Sequence, residues 1–217
     1  MPHLNLRAWS RAVGATVGAT VVAIVPMLAP AAAHADELRF SDSTHDVVTM
    51  DVGSDNWDLV PDPETRNADI KSVFVHYRKG HLVLRANFVE LKRDPNAILD
   101  LGGEIRTNEH RYFEYDVMTS PRHYLGHDEL YTRSGRRACE IGHLLDYRDN
   151  FARVSISLKC LSRPKWVQIR LEAASLTFTP KFLESGELEP GEVFLHLDDA
   201  LSDTTDFTRW TPRVARG

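Results

Sequence analysis

Residues 151–160, FARVSISLKC, alternate between apolar and polar side chains. The apolar side chains that share one face of this stretch are Val154, Ile156, Leu158 and Cys160. A period of two is typical of a β-strand with one buried face, because successive side chains of a strand point to opposite sides. The stretch 166–173, WVQIRLEA, repeats the pattern, so strands rather than helices are predicted to dominate the fold.

Two further alternating stretches, 69–78 and 81–91, flank Lys79-Gly80. A two-residue turn at Lys79-Gly80 predicts a hairpin that places Tyr77 and Leu82 on the same face. The other predicted strands are 46–51, 97–107, 111–118, 128–133, 137–147 and 192–197. We therefore predict an all-β domain, an antiparallel β-sandwich or jelly roll of about nine or ten strands, with a closed β-barrel as the alternative.

The N-terminal region predicts a secretory signal peptide, residues 1–35. Residues 12–35 contain no charged side chain, follow two arginines and end in Ala33-His34-Ala35. This A-x-A pattern indicates cleavage between Ala35 and Asp36. A retained membrane anchor is the alternative, although two prolines interrupt the apolar stretch. Cleavage leaves residues 36–217 as a single domain with an irregular C-terminal tail, secreted or associated with the cell envelope.

The charge balance narrows the classes of partner. Residues 36–217 hold 24 of the 26 basic residues and all 31 acidic residues, so their net charge is −7. This acidic balance argues against nucleic acids and anionic membranes as partners, because both bind to basic protein surfaces. The predicted partner is an extracellular ligand or protein, with no nucleic acid and with no membrane once the signal peptide is removed.

The sequence contains two cysteines, Cys139 and Cys160, both in the predicted exported part. An even count in an oxidising compartment predicts a disulfide, with two buried thiols as the alternative. If 137–147 is one strand and Asp149-Asn150 is a two-residue turn, Cys139 lies directly opposite Cys160 in the next strand. The segment 137–147 would also suit one face of a short helix.

Residues 157–167, SLKCLSRPKWV, resemble a recurring segment of short secreted proteins from high-GC Gram-positive bacteria. The similarity extends to Asp69-Ile70 at the start of a strand, to Asp198-Asp199-Ala200 and to the C-terminal residues 210–217. This group has no assigned activity. The resemblance therefore implies export and a β-rich domain, and it implies no catalytic residues.

The sequence lacks the G-x-S-x-G, H-E-x-x-H, C-x-x-C and phosphate-loop motifs. A hydrolase that uses two carboxylates stays open, since the chain has many acids from which to choose. His123-x-x-x-His127 has the spacing of two zinc ligands on a helix, but Gly126 favours a loop with solvated histidines. We expect His76 and His143 to be structural, hydrogen-bonded histidines.

Residues 184–206 contain eight acids and no lysine or arginine. Within them, Asp198, Asp199 and Asp203 are close enough in sequence to offer carboxylate oxygens to Ca²⁺ from one loop. A solvated acidic face, neutralised by C-terminal arginines, is the alternative. The sequence predicts no cofactor, with Ca²⁺ at these aspartates as the alternative.

Trp166, Tyr112 and Trp57 lie among polar residues, and exposed aromatic rings beside polar groups suit sugar binding. The leading hypothesis is a non-catalytic secreted protein that binds an extracellular or cell-envelope ligand such as a polysaccharide. Alternatively, the same rings cover the rim of the core. The alternative functions are the carboxylate-dependent extracellular hydrolase and a structural or assembly subunit with an uncovered sheet edge.

Overall fold

The computed structural model describes residues 36–78, 80–202 and 208–217, in which fourteen strands form two antiparallel sheets. The small sheet has the order β1 (Glu37–Ser41), β4 (Ile70–Arg78), β5 (His81–Phe88), β11 (Phe151–Ser157) and β10 (Gly142–Asp146). The large sheet has the order β3 (Val60–Pro61), β2 (Val48–Asp51), β13 (Val193–Asp199), β12 (Trp166–Phe178), β6 (Ala97–Thr107), β7 (Tyr112–Ser120), β8 (His123–Thr132) and β9 (Arg137–Cys139). The predicted signal peptide lies outside the described residues.

Neither sheet closes on itself, so the β-sandwich is confirmed and the closed barrel is wrong. The strand count exceeds the expected nine or ten for two reasons. Three short strands, β1, β3 and β14 (Val214–Ala215), lack a period long enough to detect, and the predicted strand 137–147 forms two strands. The predicted strand 97–107 coincides with β6, whereas 166–173 continues to Phe178 as β12.

One face of each sheet supplies the core, because every second residue of the long strands is buried. The largest side chains with almost no exposed surface are Tyr77, Tyr115, Ile70, Leu82, Leu84, Leu91, Leu101, Ile105, Leu130, Ile156, Leu161 and Ile169. Tyr77 is completely buried, and its hydroxyl donates to the carbonyl oxygen of Pro164 at 2.5 Å. This bond satisfies a polar group that would otherwise destabilise the core.

The hairpin of β4 and β5 has the predicted geometry. Arg78 pairs with His81 and Tyr77 with Leu82, so both buried faces point into the same core. The C-terminal residues are less irregular than expected. There β14 pairs with the first residues of β12, and the Thr211 hydroxyl accepts from the amide of Ile169 at 2.9 Å.

The structure contains little helix. A six-residue helix, α1 (Pro180–Ser185), begins after Thr179, whose hydroxyl accepts from the amide of Phe182 at 3.3 Å. It ends at Gly186, which adopts the left-handed conformation with φ 70°. In the part of the chain that the structure describes, no helix combines the length and apolar character needed to cross a bilayer.

The predicted single strand 137–147 is wrong. It divides into β9, which pairs with β8 in the large sheet, and β10, which pairs with β11 in the small sheet. Leu145 pairs with Ala152, whereas the two-residue turn predicted Val154 as its partner. The Asp146 carboxylate accepts from the amides of Arg148 and Asp149 at 3.0 Å each, which ends the strand early and lengthens the turn to four residues. A displacement of two residues preserves the buried face.

The disulfide between Cys139 and Cys160 is present, with the Cα atoms 5.7 Å apart. The two cysteines are not cross-strand partners as expected. Cys139 ends β9 of the large sheet, whereas Cys160 lies in the turn after β11 of the small sheet. The bond therefore joins the two sheets covalently.

Replacing both cysteines by alanine is expected to lower the free energy of unfolding by about 3 kcal/mol. The physical reason is that the bond spans 21 residues and restricts the unfolded chain. Urea denaturation of the oxidised wild type and of the Cys139→Ala/Cys160→Ala variant measures the difference, and reduced wild type serves as the control. Identical urea midpoints for the oxidised wild type and the variant would contradict the expectation.

Candidate cation site

Five aspartates from separate parts of the chain meet beside the start of β4, and we call them the acidic cluster. Its members are Asp42, Asp46, Asp69, Asp198 and Asp199. Two lie in the connection between β1 and β2, one directly precedes β4, and two end β13. The strand pairing turns Asp198 towards the core, because its cross-strand partner is Ala173, which is completely buried.

Three members of the acidic cluster are close enough to share one ion. Asp46, Asp69 and Asp198 each offer a carboxylate oxygen, and these oxygens lie within 4.8 Å of one another. Asp69 is 0% exposed and Asp198 is 2% exposed. The three carboxylates are therefore held together by the fold, away from solvent.

The hydrogen bonds of the acidic cluster leave at least one buried carboxylate oxygen without a donor. Oδ2 of Asp198 accepts from the amide of Ile70 at 2.5 Å, and Oδ2 of Asp69 accepts from the amide of His45 at 3.0 Å. Oδ1 of Asp69 has no hydrogen-bond partner among the described residues. A buried carboxylate oxygen without a partner is costly in a native protein, and one explanation is an ion that completes the site.

Burial and mutual repulsion shift the protonation of this cluster. Burial, reinforced by the charges of Asp198 and Asp46, raises the pKa of Asp42 to about 8. Burial raises the pKa of Asp198 to about 8 as well, and the charges of Asp46 and Asp69 add to the rise. Burial also raises the pKa of Asp69, against the lowering effect of the amide and charge of His45. Carboxylates this crowded need protons or a cation to coexist.

The acidic cluster differs from the two-carboxylate site of a glycoside hydrolase. The two carboxyl groups of such enzymes stand roughly 5–5.5 Å apart in retaining enzymes and roughly 6.5–9.5 Å apart in inverting enzymes. Here three carboxylates offer oxygens within 4.8 Å of one another, and Asp69 and Asp198 are buried from a substrate. The arrangement could hold a small divalent cation through oxygen ligands.

The sequence identified only part of this cluster. Asp198 belongs to it, and the charge of Asp199 contributes to the raised pKa of Asp198. Asp203 lies outside the described residues. Asp42, Asp46 and Asp69 were missed as ligands because they are distant in sequence from the acidic segment 184–206. No local sequence pattern links these three aspartates to Asp198, so the sequence alone held no signal that would have identified them.

The structure gives different outcomes for the predicted zinc pair and for the two histidines predicted to be structural. His123 and His127 lie on β8, neither on a helix nor in a loop, and four residues along a strand span about 13 Å. They are therefore too far apart to bind one zinc ion. His143 is structural as expected, since its Nδ1 lies 2.5 Å from Oδ2 of Asp128 and its Nε2 lies 2.7 Å from the carbonyl oxygen of Leu125. The hydrogen bond expected for His76 is not found among the described residues, because its Nε2 has no hydrogen-bond partner there and lies 3.8 Å from Oε1 of Glu37.

A polar network surrounds His196 on the outer face of the large sheet. Oδ2 of Asp62 accepts from the hydroxyls of Thr49 and Thr65, each at 2.7 Å. The Thr49 oxygen lies 2.7 Å from Nδ1 of His196 and, having donated its proton to Asp62, must accept from that nitrogen. The Thr177 hydroxyl lies 3.1 Å from Nε2 of His196 and 3.4 Å from the carbonyl oxygen of Phe194, and a neutral ring requires the single hydroxyl proton to point to Nε2. Burial lowers the pKa of His196, which agrees with a neutral ring. The network connects β2, β13 and β12 with Asp62, which follows β3 at the edge of the large sheet.

The three aromatic residues proposed for ligand binding do not form one site. Trp166 and Tyr112 share the outer face of the large sheet, because the residues that follow them, Val167 and Phe113, are buried. Trp57 is 51% exposed and precedes β3 at the far edge of the same sheet. Trp57 is therefore separated from the other two aromatic residues by several strands.

Arginine side chains cover the rings on the outer face. The Arg213 guanidinium lies 4.4 Å from the ring centroid of Trp166, and that of Arg133 lies 5.1 Å from Tyr112. Tyr112 also contacts Trp210 edge-on, with the centroids 6.2 Å apart. These cation–π contacts occupy part of the surface that a sugar would cover. Trp57 is consequently the most exposed of the three proposed rings.

Comparisons with protein-family models, with curated proteins and with solved structures find no match to this chain. No residue role is carried over from a relative, and the sites are assigned from their own geometry. The resemblance to short secreted proteins of high-GC Gram-positive bacteria stays a prediction.

In buffer containing EDTA, Asp42→Asn is expected to raise the melting temperature by about 2–4 °C, equivalent to about 1 kcal/mol. Burial, reinforced by repulsion from neighbouring acids, raises the pKa of Asp42 to about 8, so folding at neutral pH requires this carboxyl to take up a proton. The amide of asparagine removes that cost when no cation is bound. Thermal unfolding followed by circular dichroism measures the change. Asp128→Asn is the control, and it should lower the melting temperature because it weakens the contact to His143. A lower melting temperature for Asp42→Asn would contradict this expectation.

Proposed function

We propose that the protein is an exported, non-catalytic β-sandwich that holds a calcium ion in the acidic cluster and binds an extracellular or cell-envelope polysaccharide. The observation that carries the cation part is the fully buried carboxylate of Asp69. One of its oxygens has no hydrogen-bond partner among the described residues, while Asp46 and Asp198 offer oxygens within 4.8 Å. The disulfide supports the proposed export, since such bonds persist in oxidising compartments.

The chemistry of the acidic cluster favours Ca²⁺ over the other common divalent cations. The group of side chains within ligand distance offers carboxylate oxygens alone, whereas Zn²⁺ prefers nitrogen and sulfur ligands. Mg²⁺ demands octahedral geometry and usually retains several waters, which a buried cluster accommodates poorly. Ca²⁺ accepts six to eight oxygens in flexible geometry. Its two positive charges would offset the repulsion that adds to burial in raising the pKa of Asp42 and Asp198.

The polysaccharide part of the proposal rests on exposed aromatic surface. Trp57 is 51% exposed, and a flat ring of this kind covers the apolar C–H face of a sugar. Trp166 and Tyr112 are half-buried and retain partial access on the outer face. The buried carboxylates disfavour the alternative hydrolase, because a polymer cannot reach them. An assembly subunit is the remaining alternative, and the mass of the purified protein in solution tests it.

Calcium is expected to raise the melting temperature of the wild type by about 5–10 °C at a concentration one hundred times the dissociation constant. Binding at that excess stabilises the folded state by about 2.7 kcal/mol, and each kcal/mol corresponds to roughly 2–4 °C for a domain of this size. Extracellular calcium sites have dissociation constants on the order of 10⁻⁴–10⁻³ M, so a titration to about 100 mM covers the range. Magnesium serves as the parallel titration.

Asp69→Asn and Asp198→Asn should abolish the calcium-induced stabilisation, since each removes a charged ligand of the proposed site. The matched control is Asp128→Asn, which makes the same chemical change at a carboxylate outside the acidic cluster. It should keep the full response to calcium. A wild type whose melting temperature is unaffected by calcium would contradict the cation proposal, as would an undiminished response in both ligand variants.

Trp57→Ala is expected to weaken polysaccharide binding about tenfold, which corresponds to about 1.4 kcal/mol of lost stacking. The measurement is retention of the purified 36–217 domain on a panel of insoluble and soluble polysaccharides, including cellulose, chitin and xylan, in calcium-containing buffer. Leu125→Ala is the control, because it removes a side chain that is 74% exposed but not aromatic. Failure of the wild type to bind any member of the panel would count against the polysaccharide function.

A further inference from the structure

A cavity of about 460 Å³ opens where the β4–β5 hairpin, the turn after β11 and the C-terminal residues meet. We call it the basic cavity. The residues that line it are Gly80, His81, Ser157, Leu158, Lys159, Arg163 and Arg216. Four of the seven carry a basic side chain and none carries an acid. This composition is unusual in a domain whose residues 36–217 have a net charge of −7.

The cations of the basic cavity are not neutralised by the fold. Lys159, Arg163 and Arg216 are exposed, and none of them forms an ion pair within the described part of the chain. The cavity therefore presents a concentrated positive charge to solvent.

The backbone that presents Lys159 and Arg163 is tightly held. The amide of Arg163 donates to the carbonyl oxygen of Leu158 at 2.7 Å, and the disulfide anchors Cys160 between them. Ser162 and Arg163 adopt the left-handed conformation, with φ 64° and 56°. Non-glycine residues are uncommon in that region, and such strained positions cluster at functional sites.

Arg216 closes the cavity from the opposite side. Its guanidinium donates to the carbonyl oxygen of Arg163 at 3.3 Å, and its amide donates to the carbonyl oxygen of Lys165 at 2.9 Å. These bonds link the C-terminal segment to the turn that carries Arg163. They also place the cavity beside Trp166, which directly follows Lys165 and pairs with Ala215 in β14.

We infer that the basic cavity binds a carboxylate or sulfate substituent of an anionic polysaccharide. This inference rests on the proposed function and specifies the class of polysaccharide. The cavity volume lies within the range of small-molecule sites, and guanidinium groups suit carboxylate and sulfate oxygens. The surrounding negative charge of the domain disfavours a densely charged nucleic acid or membrane surface as the ligand.

The test compares dextrans of equal length that are neutral, sparsely carboxymethylated or sparsely sulfated. Binding is measured by affinity electrophoresis and calorimetry in calcium-containing buffer at physiological ionic strength. The wild type should bind at least one charged dextran at least tenfold more tightly than the neutral one. The two charged polymers distinguish a carboxylate ligand from a sulfate ligand.

The test variant is Lys159→Gln/Arg163→Gln/Arg216→Gln, which should bind the charged dextran at least tenfold more weakly than the wild type. Each single substitution is measured as well, in case the triple variant folds poorly. Arg153→Gln is the matched control, since this exposed arginine on β11 does not line the basic cavity. It should bind the charged dextran within twofold of the wild type.

Equal binding of the charged dextrans to the wild type and the variants, or no preference for charged over neutral dextran, would overturn the inference. The panel of polysaccharides used with Trp57→Ala tests the proposed function separately. A neutral polysaccharide that binds the wild type and the triple variant equally would support the proposed function. If the charged dextrans also bound equally to the wild type and the triple variant, only the role of the basic cavity would be contradicted.

Discussion

The two sheets are joined beside the start of β4 by a contact that forces several carboxylates together. The packing of the sheets at this point depends on how that crowding is relieved. The amide of Ile70, the first residue of β4 in the small sheet, donates to the Asp198 carboxylate at the end of β13 in the large sheet. The same carboxylate crowds against Asp46 and Asp69. The contact that joins the sheets therefore brings like charges together. The sheets meet here only if protons or a cation offset that repulsion.

Periodicity made much of the fold predictable, because one buried face leaves a local signature in the sequence. The register of Tyr77 against Leu82 followed from the alternation and the glycine turn alone. The register of β10 against β11 did not, since the Asp146 side chain accepts two backbone amides and lengthens the turn. The disulfide was predicted correctly, although the strand pairing used to support it was wrong.

The candidate site was less predictable than the fold because its residues converge from distant parts of the chain. An acidic run drew attention to Asp198, but no local pattern connects it with Asp46 or Asp69. The arginines over Trp166 and Tyr112 are likewise remote in sequence from the rings they cover. The alternation of a strand predicts that a ring lies on the outer face of a sheet. It does not predict which side chains from other segments pack over that ring.

The inter-sheet disulfide also affects how the protein responds to cutting. The bond encloses residues 140–159, which include the whole of β10 and β11. A protease that cleaves once in the turn Tyr147–Asn150 leaves two fragments that the bond still joins. The strands on both sides of the cut retain their pairing partners and their place in the core. A single cut at this turn would therefore leave one particle rather than two pieces.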